Sequence, residues 1–115
     1  MSTVLDLNRR LATTLGWSNI VDVGNALLGS PPWAIPHARG QCAVPNWAGC
    51  WKDCGPLMVA YQIYPFADRF NPRAILAGCL ETEYSIARIS EHANEDAATR
   101  AAIVSAVIAK LEAAK

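Results

Sequence analysis

Apolar residues recur at three- and four-residue intervals at both ends of the chain. Near the start, Val4, Leu7, Leu11 and Leu15 fall on one helical face, with Arg9 and Arg10 off it. Ser2 or Thr3 can cap this helix, and Gly16 stands where a left-handed residue closes one. Near the end, Ala97, Ala101, Val104, Ile108 and Leu111 form a stripe that Ala98, Ala102 and Val107 widen. Asn94 is a good cap for that second helix. Glu95 and Asp96 in its first turn and Lys110 and Lys115 near its end complement the helix dipole.

The middle of the chain is less regular. Ile20 to Leu28 reads as a strand or a poor helix, and Gly24 weakens both. Ser30-Pro31-Pro32-Trp33 and Ile35-Pro36-His37 are loop, because successive prolines remove donors and bias their neighbours towards extended backbone. Trp47 to Tyr64 predicts a helix capped by Asn46 and obstructed by Pro56, with Leu57, Val59, Ala60, Ile63 and Tyr64 on its apolar side. Asn71-Pro72-Arg73 suits either a cap with proline at the first helical position or a turn. From Ile75 to Ile89 the pattern alternates: Leu80, Thr82, Tyr84 and Ile86 share one parity, with Glu81, Glu83 and Ser85 opposite. Helices at both ends and in the centre, with strands between, predict an α+β fold: an α-β-α sandwich with a small antiparallel sheet.

Composition narrows the class. At 115 residues the chain suits one domain, residues 1–115, and 17% charged residues exclude intrinsic disorder. Ten Lys and Arg balance ten Asp and Glu, which argues against a DNA binder held by phosphate contacts. Charges or prolines interrupt every apolar run, so no membrane span is expected. Met1-Ser2-Thr3-Val4-Leu5-Asp6 lacks the basic start and apolar run of a secretion signal, which predicts a cytoplasmic protein with free thiols rather than disulfides. Charge is also uneven. Between Trp17 and Pro65 only Asp22, Arg39, Lys52 and Asp53 are charged, and that stretch holds all four tryptophans.

Three stretches together resemble the phage ABA sandwich domain family. Leu7-Asn8-Arg9-Arg10-Leu11-Ala12-Thr13-Thr14-Leu15-Gly16-Trp17 is similar to its amphipathic first helix ending in Gly-Trp. Val44-Pro45-Asn46-Trp47 through Cys54-Gly55-Pro56-Leu57-Met58 resembles its proline-containing aromatic turn and central helix. Glu81 to Ile89 and Glu91 to Ala114 resemble its last strand, acidic turn and alanine-rich helix. The resemblance implies a bacteriophage or prophage origin, an α-β-α sandwich and residence in the host cytoplasm. It implies no reaction, since the family carries no catalytic signature. Small phage proteins outside the virion are often anti-defence factors, several of which sequester nucleotide signals, and the resemblance extends that expectation to this chain.

Among chemistry-bearing residues, His37, Cys42, Cys50 and Cys54 are the one candidate metal cluster, since zinc accepts three thiolates and an imidazole. Their spacing contains no Cys-x2-Cys knuckle, so no metal and no cofactor is expected. No nucleophile elbow, metalloprotease helix, P-loop or dinucleotide fingerprint occurs, which favours a protein that is not an enzyme. His92, before the last helix, reads as a surface or capping histidine.

The aromatic set is the leading functional signal. Trp33, Arg39, Trp47, Trp51, Arg69 and Arg73 are the candidate ligand-binding residues, because rings stack on bases and arginine forks grip phosphate. The expected function is a non-enzymatic phage accessory protein that sequesters a small nucleotide-like signalling ligand. One alternative is a protein-interaction module whose Trp33 loop docks on a host protein, since Trp, Tyr and Arg dominate interface hot spots. The other is a small zinc-binding or thiol-dependent protein. With 52% hydrophobic residues, an exposed apolar patch and a homo-oligomer are also expected.

Overall fold

The computed structural model describes residues 4–24, 26–32, 42–67, 73–78 and 85–114. The fold is α+β. Helix α1 (Val4–Leu15) leads into strands β1 (Ser18–Asp22), β2 (Leu27–Ser30) and β3 (Cys42–Ala43), then α2 (Trp51–Tyr61). Strands β4 (Tyr64–Ala67), β5 (Ala74–Gly78) and β6 (Ser85–Arg88) follow, then a 3-10 turn (Ile89–Glu91) and α3 (Glu95–Ala113). The strands form two antiparallel sheets, ordered β1-β2-β3 and β4-β5-β6. The predicted ambiguity over Ile20 to Leu28 resolves as a hairpin. Asp22 Oδ1 accepts from Gly24 N at 2.9 Å inside its turn.

Helix α3 organises the core, packing against α1, α2 and the β4–β6 sheet. Its central residues are buried on every side: Ala101, Ala102, Ile103, Val104, Ala106, Val107 and Ile108. A helix that is apolar all round needs neighbours on more than one side. Burying each of the Ile and Val side chains contributes about 1.5–3 kcal/mol, and the alanines let neighbouring backbones come close. Asn94 caps α3 as predicted, its Oδ1 accepting from Ala97 N at 2.8 Å.

Helix α1 buries Leu7, Asn8, Leu11 and Ala12. It ends in a Schellman closure, in which Trp17 N donates to Ala12 O at 2.9 Å and Gly16 N to Thr13 O at 3.1 Å. Gly16 has φ +101, a conformation that costs a side-chain-bearing residue but not glycine. Trp17 follows the cap and is buried in the core. The same closure ends α2, where Ile63 N donates to Met58 O at 3.1 Å and Gln62 holds the left-handed position at φ 55. Ile63 is thereby driven fully into the core.

Helix α2 is shorter than the Trp47–Tyr64 span predicted. Residues 47–49 form a turn, Cys50 is the N-cap, and Tyr64 begins β4. Pro56 lies inside the helix, and the carbonyl it leaves unpaired belongs to Lys52, also exposed, so water can satisfy it. Of the predicted apolar side, Leu57 and Ile63 are buried, whereas Val59, Ala60 and Tyr64 face solvent.

The second sheet has a core face and an open face. Ile75, Ala77 and Ala87 are buried, while Tyr64, Phe66 and Ile86 on the opposite parity are exposed. Phe66 pairs with Leu76, and Leu76 pairs with Ile86, so an apolar row crosses the open face. No helix among the described residues is long and apolar enough to cross a membrane.

Candidate functional site

The charge-poor aromatic segment is partly structural. Trp47 is buried and fills the core. Trp51, at the start of α2, is exposed on one side, and Arg100 of α3 lies over its ring at 5.4 Å from the centroid. Arg100 Nε also donates to Ala48 O at 3.2 Å. This pairing braces the turn between residues 46 and 50 from α3, while part of the Trp51 ring stays exposed.

Asn8 grips the same turn from α1. It is 3% exposed, donates through Nδ2 to Asn46 Oδ1 at 2.8 Å and accepts from Ala48 N at 2.9 Å. Asn46 N donates in turn to Asp53 Oδ2 at 2.9 Å, and Asn46 O accepts from Cys50 N at 2.9 Å. A buried amide that uses both its donor and its acceptor avoids the cost of an orphaned polar group. Asn46 thus serves as the predicted start signal of the α2 region, but through this clasp rather than as the N-cap.

Arg73 is exposed at the start of β5, and its carbonyl accepts from Ile89 N at 2.7 Å. Trp33, Arg39 and Arg69 lie outside the described residues, as does His37. The remaining thiols are dispersed by environment: Cys42 is exposed on β3, Cys50 is half-buried, and Cys54 is buried. Burial pushes the Cys54 thiol up to about 11, against a smaller opposing pull from Arg100. A protonated, enclosed thiol is a poor metal ligand. Among the described residues no three His, Cys, Asp or Glu side chains gather as a metal site.

A further cavity lies elsewhere. A groove of about 380 Å³ is lined by Leu7 and Arg10 of α1, Ile86 and Ala87 of β6, Glu91 and His92, and Ala101 and Ser105 of α3. Local geometry explains the grouping. Leu7 and Arg10 are three apart and share a face of α1; Ala101 and Ser105 are four apart and share a face of α3. The 3-10 turn after β6, closed by His92 N donating to Ile89 O at 3.1 Å, places Glu91 and His92 at the groove. Leu7, Ala87 and Ala101 are buried and give it an apolar lining.

Chemically the groove offers a guanidinium, an imidazole, a carboxylate and a hydroxyl beside a smaller apolar lining. The side chains of Arg10, Glu91 and His92 have no hydrogen-bond or ion-pair partner among the described residues. Ser105 and His92 also line it, as donors within reach of a bound ligand. Sequence reasoning placed Arg10 off the apolar face of its helix and His92 in a polar turn, but no local signal joins two segments so far apart. Comparison with protein-family models, with curated proteins and with solved structures gives no match.

Proposed function

We propose that the protein is a non-enzymatic binder of a small anionic ligand, held in the groove between α1, β6 and α3. The observation that carries this reading is the exposed Arg10 guanidinium, without a partner among the described residues, in the lining of a cavity with polar and apolar walls. Arginine matches carboxylate and phosphate geometry through paired N–H donors. His92 and Ser105 add donors nearby, and about 380 Å³ sits at the small end of the range of ligand pockets. Nucleotides are one class of such anions. No Phe, Trp or Tyr is among the described residues that line the groove, so the reading rests on the anionic group rather than on a base. Taken with the resemblance to phage ABA sandwich domains, a role as a phage accessory protein that sequesters a host-made ligand follows.

The test is thermal unfolding across a panel of small carboxylates and phosphates, nucleotides included, with wild type and Arg10→Ala in parallel. A ligand present at 100 times its Kd adds about 2.7 kcal/mol of stability. For a chain of 115 residues that raises Tm by about 10 °C. The variant should bind more weakly by up to about fivefold, the upper value for an exposed ion pair. A panel in which no member raises Tm, or in which Arg10→Ala responds as wild type does, would sink the proposal.

A further inference from the structure

Arg10 and Glu91 carry opposite charges in the same groove and are not paired with each other. Among the described residues that line the cavity, they are the two drawn from Lys, Arg, Asp and Glu; β6 contributes Ile86 and Ala87, and α3 contributes Ala101 and Ser105. The described lining thus offers a positive and a negative station beside apolar residues. A simple anion satisfies Arg10 and leaves Glu91 to repel it.

We infer that the ligand is a small zwitterion, an amino carboxylate or amino phosphate. Its anionic group pairs with Arg10, its ammonium group pairs with Glu91, and its hydrocarbon body covers Leu7, Ala87 and Ala101. This inference rests on the anion-binding reading above and narrows its ligand class. Two stations on separate elements also select for length, because a linker too short or too long engages only one of them.

The experiment is calorimetric titration of the whole protein at pH 8 and low salt. The probes are ω-amino carboxylates from glycine to 6-aminohexanoate, leucine, and two singly charged leucine analogues, 4-methylpentanoate and 3-methylbutylamine. The expected result is an affinity optimum at one chain length and about fivefold tighter binding of leucine than of either analogue. Glu91→Gln should erase the advantage over 4-methylpentanoate while leaving binding of that anion intact or improved. Added salt should weaken the zwitterion, since both pairs are solvent-exposed. Both substituted residues are exposed, and the urea midpoint of each variant checks that it folds. If 4-methylpentanoate binds as tightly as leucine and Arg10→Ala weakens it, the zwitterion inference is overturned and the anion site survives. If none of these probes binds but a nucleotide or other anion does, the outcome is the same. If neither these probes nor any anion binds, both readings fall.

Discussion

The Asn8 clasp is the place where one side chain connects the fold to the groove, and it gives a quantitative prediction. Replacing Asn8 with Leu keeps the side-chain size and removes both hydrogen bonds, to Asn46 Oδ1 and from Ala48 N. The Ala48 N–H is buried and would lose its acceptor, a cost of about 1–3 kcal/mol. Asn46 is exposed, so its amide can turn to water at a cost of about 0.5–1 kcal/mol. A void of about 60 Å³ beside Asn8 and Asn46 gives the leucine room, so overpacking adds little. The expected destabilisation is about 2–3 kcal/mol.

At about 2.1 cal/mol/K of unfolding entropy per residue, a chain of 115 residues loses about 4 °C of Tm per kcal/mol. Asn8→Leu should therefore lower Tm by about 10 °C, with a matching fall in the urea midpoint. Asn46→Ala keeps the Ala48 N–H bond but leaves the Nδ2 donor of the buried Asn8 without its acceptor, a cost of about 1–3 kcal/mol, or about 4–12 °C. Differential scanning calorimetry of the two variants reads both costs. An Asn8→Leu variant within 4 °C of wild type would show that the buried Ala48 N–H is not what makes the clasp costly to break.

Four further outcomes follow from local geometry. Gln62→Gly relieves a side chain held at φ 55 and should stabilise by about 0.5–1 kcal/mol in urea unfolding; a destabilised variant would mean that Gln62 contributes more than its backbone strain costs. A Cβ at Gly49 would overlap the Asn46 amide, so Gly49→Ala should cost about 1–3 kcal/mol in wild type and much less in an Asn46→Ala background, read as a double-mutant cycle. Among the described thiols, iodoacetamide at pH 8 should modify Cys42 first, Cys50 more slowly and Cys54 only after unfolding, as peptide mass mapping would show. The raised Cys54 thiol adds a pH term: from its ordinary 9.0 upward the unfolded chain ionises there while the folded chain does not until about 11. The stability it contributes is thus complete below pH 9 and lost as pH rises to 11, by up to about 2–3 kcal/mol. Cys54→Ala should flatten that fall by the same amount.

Both terminal helices were legible because their signals are local. The α3 stripe, its Asn94 cap and the Gly16 closure of α1 each depend on residues a few positions apart. The α+β class followed from the same patterns. The centre was harder for a physical reason: hydrogen bonds from α1 and α3, not intrinsic propensity, hold residues 46–50 in a turn and delay α2 to Trp51. Nothing near Asn46 announces that its amide belongs to Asn8. Trp51 and Arg73 were placed among ligand-binding candidates by residue type, but type alone does not reveal that Arg100 lies over the Trp51 ring. The groove was invisible for the same reason, since its lining joins α1 to β6, the following turn and α3 through tertiary packing.

That origin makes the competing functional readings separable. Every described residue lining the groove belongs to a helix, to β6 or to the turn after it. Trp33→Ala should therefore leave small-ligand affinity unchanged, while Arg10→Ala weakens it. A host protein captured through the Trp33 loop would show the reverse pattern, lost on Trp33→Ala and indifferent to Arg10→Ala. Asn8→Leu adds a third arm. Asn8 fixes α1 against the 46–50 turn, and α1 carries Leu7 and Arg10 on one wall of the groove while β6 and the following turn form the other. Below its lowered Tm, this variant should weaken the ligand by displacing Arg10 relative to Glu91, although Asn8 does not line the groove. Unchanged affinity in a folded Asn8→Leu protein would mean that the groove keeps its shape without the clasp, and that packing of Leu7 and Leu11 against α3 is enough to hold α1 in place.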